Sequence, residues 1–269
     1  MVNFTLKEKY SIDDLLNIMK LLRSPDGCPW DREQTHRSIR RNFIEEVYEA
    51  CEAIDLDDDA LLTEELGDVL LQVVFHAEMA REAHRFDFED VVDGICKKLI
   101  VRHPHIFGDL KLETDGADEV LRNWEAIKNR TKNQTTYTES LEAVARSLPA
   151  LIRAEKVQGR ARRAGMDWDG SAPVMDKLRE ETQELADAVG GGGDVFAELG
   201  DVLFTAVNLA RHLGIDPEEA LNASTERFVS RFRVVEARCE RKGLKMPEAT
   251  PQTLDRLWEE AKAEERQTK

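Results

Sequence analysis

The sequence predicts an all-α protein built from two tandem helical bundles, and three observations carry that prediction. Glu, Leu, Ala, Lys and Arg dominate the composition while aromatic residues make up only 6%, a mix that favours helices over sheets. The apolar residues Phe43, Ile44, Val47, Cys51 and Ile54 form a stripe at helical spacing. One acidic pattern is written twice along the 269 residues, and internal repetition of this length points to duplicated structural units.

The elements follow in order. The opening stretch MVNFTLKEKYSIDDLLNIMK reads as an amphipathic helix and lacks the apolar core of a signal peptide. A tryptophan signature, GCPWD at 27–31, precedes FIEEVYEACEAI and LLTEELGDVLLQVVFHAEMA, two helices joined by a short acidic break. FDFED, a basic stretch with Lys97, Lys98 and Arg102, and a late Trp124 complete the first copy. The second copy repeats this order. GMDWD at 165–169 leads to KLREETQELADAV, a GGGG turn and DVFAELGDVLFTAVNLARHL, then IDPEE, Arg227, Arg231, Arg233 and Trp258. Between the copies, NRTKNQTTYTES has almost no apolar content and reads as a polar linker. The expected domains are therefore 1–128 and 141–269, joined by 129–140.

Charge and composition narrow the function. A net charge of −16 argues against a nucleic acid polymer as partner, because a phosphate backbone is held mainly by Lys and Arg. An acidic chain can still take a small phosphorylated ligand when cations intervene. No apolar run approaches the roughly 20 residues that cross a bilayer, so no membrane association is expected, and a cytoplasmic location is. Cys28, Cys51, Cys96 and Cys239 form no CxxC pair and suggest neither a zinc knuckle nor a disulfide framework. His103 and His105 flank Pro104 and read as structural. Trp30 and Trp168 read as core anchors, since large aromatics mostly serve packing.

The repeated carboxylates need a physical reason. At 100° per residue Glu45, Glu46 and Glu49 fall within one arc of their helix, and Glu65 and Asp68 share a face one turn apart. Asp68 lies inside LGDVLLQVVF and Asp201 inside LGDVLFTAV, segments apolar nearly all round and expected to be buried. An unpaired buried carboxylate is costly, and several together repel one another. A divalent cation resolves that conflict, because Mg²⁺ prefers oxygen ligands and often shares its shell with substrate phosphates. A solvated acidic face or a structural salt bridge would explain one such pair. Neither explains the whole constellation written twice.

These residues resemble the MazG family of all-α nucleoside triphosphate pyrophosphohydrolases. EExxE at Glu45, Glu46 and Glu49 with ELGD at Glu65–Asp68, repeated at Glu180, Glu181, Glu184 and Glu198–Asp201, carries the likeness. It extends to GCPWDREQTH, HRFDFED, RHPHIFGD, RSLPALIRAEKVQGRARRAGMDW and NLARHLG, and so spans most of the chain. The resemblance implies hydrolysis of nucleoside triphosphates to monophosphate and pyrophosphate, including non-standard triphosphates. It implies Mg²⁺ dependence, with Mn²⁺ as a substitute, and homodimers in which the repeats form four-helix-bundle cores.

Position by position, the resemblance puts metal on Glu46, Glu49, Glu65 and Asp68, and on Glu181, Glu184, Glu198 and Asp201. Glu45 and Glu180 match the leading glutamate, either a ligand or a base standing behind the ligands. Lys98 and Arg102, Arg227 and Arg231, Lys177 and Trp258 match positions that contact the nucleotide. The C-terminal copy is the expected catalyst, although neither copy has lost a motif carboxylate. Two other classes compete. A di-iron bundle needs two Glu-x-x-His pairs on its core helices, whereas the one such pair, Glu33 and His36, lies outside the carboxylate helices. A non-catalytic nucleotide-binding or adaptor protein would keep the carboxylates without turnover.

Overall fold

The computed structural model describes residues 4–108 and 136–267; most of the expected linker, and Trp124, lie outside them. Among the described residues there are twelve α-helices and no strand. The chain divides into two compact units, Met1–Lys132 and Asn133–Lys269, in keeping with the doubled pattern.

In the first unit, α1 (Ile12–Arg23) starts at a capping box. The Ser11 backbone N–H donates to the Asp14 carboxylate at 2.9 Å and the Asp14 N–H donates back to the Ser11 hydroxyl, which fixes the first turn. The expected opening helix is thus shorter than its amphipathic pattern, and residues 4–10 are irregular, with Phe4 stacked on Tyr10. After the short α2 (Pro29–Glu33), α3 (Arg40–Asp55) and α4 (Asp59–Glu82) form a tightly packed hairpin. Its turn uses Asp57 at a left-handed φ of 54°, and Asp58 caps α4 by accepting the N–H groups of Ala60 and Leu61, each at 3.0 Å. α5 (Phe88–Arg102), capped by Asp87, and α6 (Pro104–Phe107) follow. His103 Nδ1–H donates to the Leu99 carbonyl oxygen, 2.6 Å away, and closes the end of α5. Met19, Ile39, Val74, Phe75 and Met79 make the core. That core engages the C-terminal half of α4, so the half carrying Glu65 and Asp68 projects beyond it.

In the second unit, Thr136 caps α7 (Tyr137–Glu142), so residues 137–140 of the expected linker are helical. α8 (Ala150–Arg163) leads to a second hairpin, α9 (Ser171–Asp187) and α10 (Val195–Leu213). The GGGG turn makes a π-helical turn at Ala188–Gly192, where Gly191 takes φ 103°, a region closed to most side chains. Asp194 then caps α10, as Asp58 caps α4. α11 (Pro217–Arg241), with Asp216 as cap and Pro217 in its first turn, packs on α12 (Pro251–Gln267). Val235, Cys239, Leu257 and Ala261 form the core between them.

Each unit is also tied by a polar anchor joining distant segments. In the first, Arg23 donates twice to Glu82, at 2.8 and 2.7 Å, and its guanidinium lies 5.4 Å from the centre of the Phe75 ring. In the second, Asp167 receives Arg211 Nη1 at 3.1 Å and approaches His212 Nε2 at 3.0 Å, while Arg211 Nε donates to Asn208 at 3.1 Å. Trp30 and Trp168, expected as core anchors, are instead 59% and 43% exposed. The charged groups hold the loops through neighbouring residues: Arg23 donates to the Asp31 carbonyl, next to Trp30, and Asp167 adjoins Trp168.

A histidine pair fastens the loop before α3 to α4. His36 and His76 stack with ring planes 2° apart and their Nδ1 atoms 2.7 Å from one another. Arg85 Nη2 lies 2.5 Å from His36 Nε2. A guanidinium only donates, so His36 accepts at Nε2, carries its proton on Nδ1 and donates to His76. Burial, then the nearby Arg85 and Arg23, lowers the His36 pKa; burial and His36 lower that of His76. A folded-state pKa below the unfolded value means stability that is full above about pH 6.5 and is lost as pH falls below it. The raised glutamates described below act in the opposite sense. The expected result is therefore a difference: between pH 7 and 5 the His76→Gln melting temperature declines less than that of the wild type, measured by circular dichroism. Equal slopes would remove the pair from the pH response.

Candidate functional site

The two hairpins bring together the carboxylates that the sequence spaces one helical turn apart. Among the described residues, Glu46, Glu49 and Glu65 each place an oxygen within 4.8 Å of the others, and Glu181, Glu198 and Asp201 do the same in the second unit. In each case one helix of the hairpin supplies the EExxE glutamates and the other supplies the ELGD residues. The spacing suits a hard cation: with ligand oxygens about 2.1 Å from Mg²⁺, a trans pair lies about 4.2 Å apart.

The electrostatics record the crowding. Burial raises the Glu46 pKa, followed by the charges of Asp68 and Glu49 and a hydrogen bond with Glu49. Burial and the charges of Glu49, Glu64 and Asp68 raise that of Glu65. In the second unit burial and Glu181 raise Glu184, with Lys177 opposing. Asp68 and Glu184 thus act on their clusters although they stand outside the two closest trios. Donors of this kind are satisfied by a cation and by little else.

One expectation is corrected. Asp68 is half-buried and Asp201 exposed in the single chain, rather than buried as their apolar surroundings predict. The apolar residues are present but uncovered: Leu66 and Leu70 on α4, and Leu199, Leu203 and Phe204 on α10, are all exposed. Hydropathy marks the face correctly and overstates what one hairpin can cover.

The other candidates fall as follows. Glu45 is exposed and pairs with Arg41 at 2.7 Å. Glu180 pairs with Lys177 at 2.8 Å, and the same ammonium reaches the buried Glu181, also at 2.8 Å. The two contacts raise the Lys177 pKa. Lys98 and Arg227 are exposed, and Arg102 is half-buried at the end of α5. Arg231 pairs with Glu265 at 2.8 Å, and the Trp258 ring lies 5.0 Å from that of Phe228. Arg231 and Trp258 therefore lie where α11 meets α12, whereas the Lys177 ammonium touches a cluster carboxylate of the second unit, Glu181. The Asp167–Arg211 anchor escaped the sequence reading, although its parts lie in GMDWD and NLARHLG; the charge complement of the two motifs was the available signal.

Comparison with known proteins agrees with the geometry. The model of the MazG nucleotide pyrophosphohydrolase domain matches residues 34–107 and 170–235, one segment around each cluster. A nucleoside triphosphate pyrophosphohydrolase of Escherichia coli is 45% identical over 94% of this chain and 98% of its own length. A nucleoside triphosphate pyrophosphohydrolase/pyrophosphatase of Thermotoga maritima is 44% identical over 93% of this chain and 95% of its own. A nucleoside triphosphate pyrophosphohydrolase of Mycolicibacterium smegmatis is 40% identical over 57% of this chain and 46% of its own. With both repeats matched and two of these relatives aligned over more than nine-tenths of both chains, the chain belongs to the MazG nucleotide pyrophosphohydrolase family.

Proposed function

We propose that the chain hydrolyses nucleoside triphosphates to the monophosphate and pyrophosphate with Mg²⁺ held by its helical carboxylates. The convergence of three carboxylate oxygens in each of two matching hairpins carries this reading. The names of the aligned relatives support the substrate class. Glu46, Glu49, Glu65 and Asp68 would hold the cation in the first repeat, and Glu181, Glu184, Glu198 and Asp201 in the second. When bound, Mg²⁺ neutralises triphosphate charge and acidifies a water for attack. Mn²⁺, with the same preference for oxygen, would substitute.

The protein groups supply the rest. Glu180, or Glu45 in the first repeat, stands beside the ligands on the same helix and can accept the proton of the attacking water. Attack at the α-phosphorus releases pyrophosphate. Lys177, Arg227 and Arg231, or Lys98 and Arg102, neutralise the charge that develops on it, and Trp258 offers a face to the nucleotide. The two repeats act as separate units, the helix capped by Thr136 belonging to the second, with the second as principal catalyst. The purpose is house-cleaning of deoxy- and ribonucleoside triphosphates, including non-standard ones, in the cytoplasm.

A second copy of the chain completes the picture. Ile44, Val47, Leu66 and Leu70 in one hairpin, and Leu199, Leu203 and Phe204 in the other, are large apolar groups left exposed. A cleft of about 460 Å³ between α8 and α10, walled by Leu148, Leu151, Leu203 and Phe204, continues the second face. Pairing each hairpin with its copy would make a four-helix bundle, cover these residues and bury the carboxylate faces. Among the described residues no helix is long and apolar enough to cross a membrane, and a net charge of −16 disfavours a phosphate polymer as partner.

The test is pyrophosphate release from a panel of ordinary, deaminated and oxidised triphosphates, with Mg²⁺ and with chelator. Monophosphate and pyrophosphate in equal amounts, lost on chelation, are expected. Release of inorganic phosphate would refute the reaction. Binding without turnover would favour the adaptor.

A further inference from the structure

The two carboxylate clusters differ in one respect that the shared motif conceals. In the second unit the Lys177 ammonium sits on the cluster, 2.8 Å from Glu181 and 2.8 Å from Glu180. Lys177 is 32% exposed while the Glu181 side chain is 8% exposed, so this contact is sheltered from solvent. Counting back three residues from the leading glutamate, the first repeat has Asn42 at this place. Its neighbouring pair, Arg41 with Glu45, is exposed and involves no residue of the Glu46–Glu49–Glu65 trio. The charges that act on Glu46 and Glu65 are those of neighbouring carboxylates, whereas the second cluster holds a counter-ion of its own.

A cation entering the second cluster must take Glu181 from the ammonium. Ammonium and metal compete for the same carboxylate charge, and each exchange has an energetic cost. A triphosphate changes the balance, because it offers the released ammonium new anionic oxygens. Metal and triphosphate should then bind cooperatively in the second repeat, each strengthening the other by the same factor.

We propose that Lys177 is a resident counter-ion that holds the second cluster closed to free divalent metal and moves from Glu181 to the triphosphate when metal and nucleotide arrive together. The first cluster, with Asn42 in that place, takes metal without nucleotide. This rests on the metal-binding reading given above and adds an order of binding to it. Lys177 becomes the specificity element that ties cation occupancy to the presence of substrate, so the principal site is not filled by free metal.

The experiment measures Mn²⁺ binding by electron paramagnetic resonance, using the full-length chain with the first cluster neutralised by Glu46→Gln and Glu65→Gln. Mn²⁺ is titrated alone and with a nucleoside triphosphate carrying an α,β-methylene link, which cannot be cleaved. In this background Lys177→Met should bind Mn²⁺ alone about 3- to 10-fold more tightly, the range of a partly sheltered ion pair. It should also lose most of the tightening that nucleotide gives the parent. Arg179→Met removes the same charge from the same helix, but Arg179 pairs with Asp176 rather than with the cluster, so it should leave Mn²⁺ affinity within about twofold. Unchanged or weaker Mn²⁺ binding by Lys177→Met, or an equal gain in Arg179→Met, would overturn the proposal while leaving the metal site standing. Absence of Mn²⁺ binding in every variant, with and without nucleotide, would overturn the metal reading and this proposal with it.

Discussion

Asp201→Asn should lower Mg²⁺-dependent pyrophosphate release at least ~100-fold, about 2.7 kcal/mol of transition-state stabilisation. The side chain is exposed and the replacement has the same shape, so the fold should survive. What is lost is one negative oxygen from the trio formed with Glu181 and Glu198. On the proposed reading an amide there should weaken the hold on a cation and leave triphosphate charge less neutralised. Asp68→Asn in the first repeat should leave most of the activity. Full activity in Asp201→Asn would remove the second repeat as principal catalyst, and a greater loss in Asp68→Asn would reverse the assignment.

The second large effect concerns stability. Arg211→Met should destabilise the second unit by about 3 kcal/mol, read as a shift in the urea midpoint at unchanged slope. Arg211 and Asp167 are only 11% and 16% exposed. Burial works against ionisation of Asp167, but hydrogen bonds from Arg211 and His212 outweigh it and hold its pKa below the ordinary value. Removing the guanidinium leaves a sheltered carboxylate to His212 and the more distant Arg162, 3.6 Å away and largely exposed, and leaves Asn208 without its donor. The added Asp167→Asn change should restore part of the loss, because the stranded charge goes with it. By contrast Arg41→Ala breaks an ion pair whose sides are 85% and 46% exposed and should cost no more than about 0.5 kcal/mol. Equal effects of the two substitutions would mean that the anchor contributes no more than a surface pair.

Much of the architecture was legible because it is locally encoded. Helical spacing set the hairpins, and their turns carry their own chemistry: Asp57 and Asp58 in one, the glycines and Asp194 in the other. The carboxylate trios were legible for the same reason, since i, i+3 spacing on two adjoining helices leaves little freedom. What the sequence hid depends on distant partners. Arg23 meets Glu82 across 59 positions and Arg211 meets Asp167 across 44. Local spacing joins neither pair, and only the opposite charges of GMDWD and NLARHLG hint at the second, so Trp30 and Trp168 read from sequence as the anchors of their loops. The exposure of Asp68 and Asp201 was misjudged because hydropathy tells that a face wants covering, not whether the same chain covers it. The two repeats also looked alike by motif, while Lys177 against Asn42 distinguishes them by charge.

The central claim is that these carboxylates work against the fold until a cation joins them. The raised Glu46 and Glu65 carry the sign. A folded pKa above the unfolded 4.5 means destabilisation that develops as pH rises through that value and persists at neutrality. Thermal unfolding at pH 7.5, for wild type and for Glu46→Gln with Glu65→Gln, tests this most directly. In chelator the double variant should melt at or above the wild type. With Mg²⁺ at about 100 times its dissociation constant the wild type should gain about 2.7 kcal/mol and overtake the variant. A wild-type melting temperature that Mg²⁺ leaves unchanged, or an equal rise in both proteins, would contradict the claim.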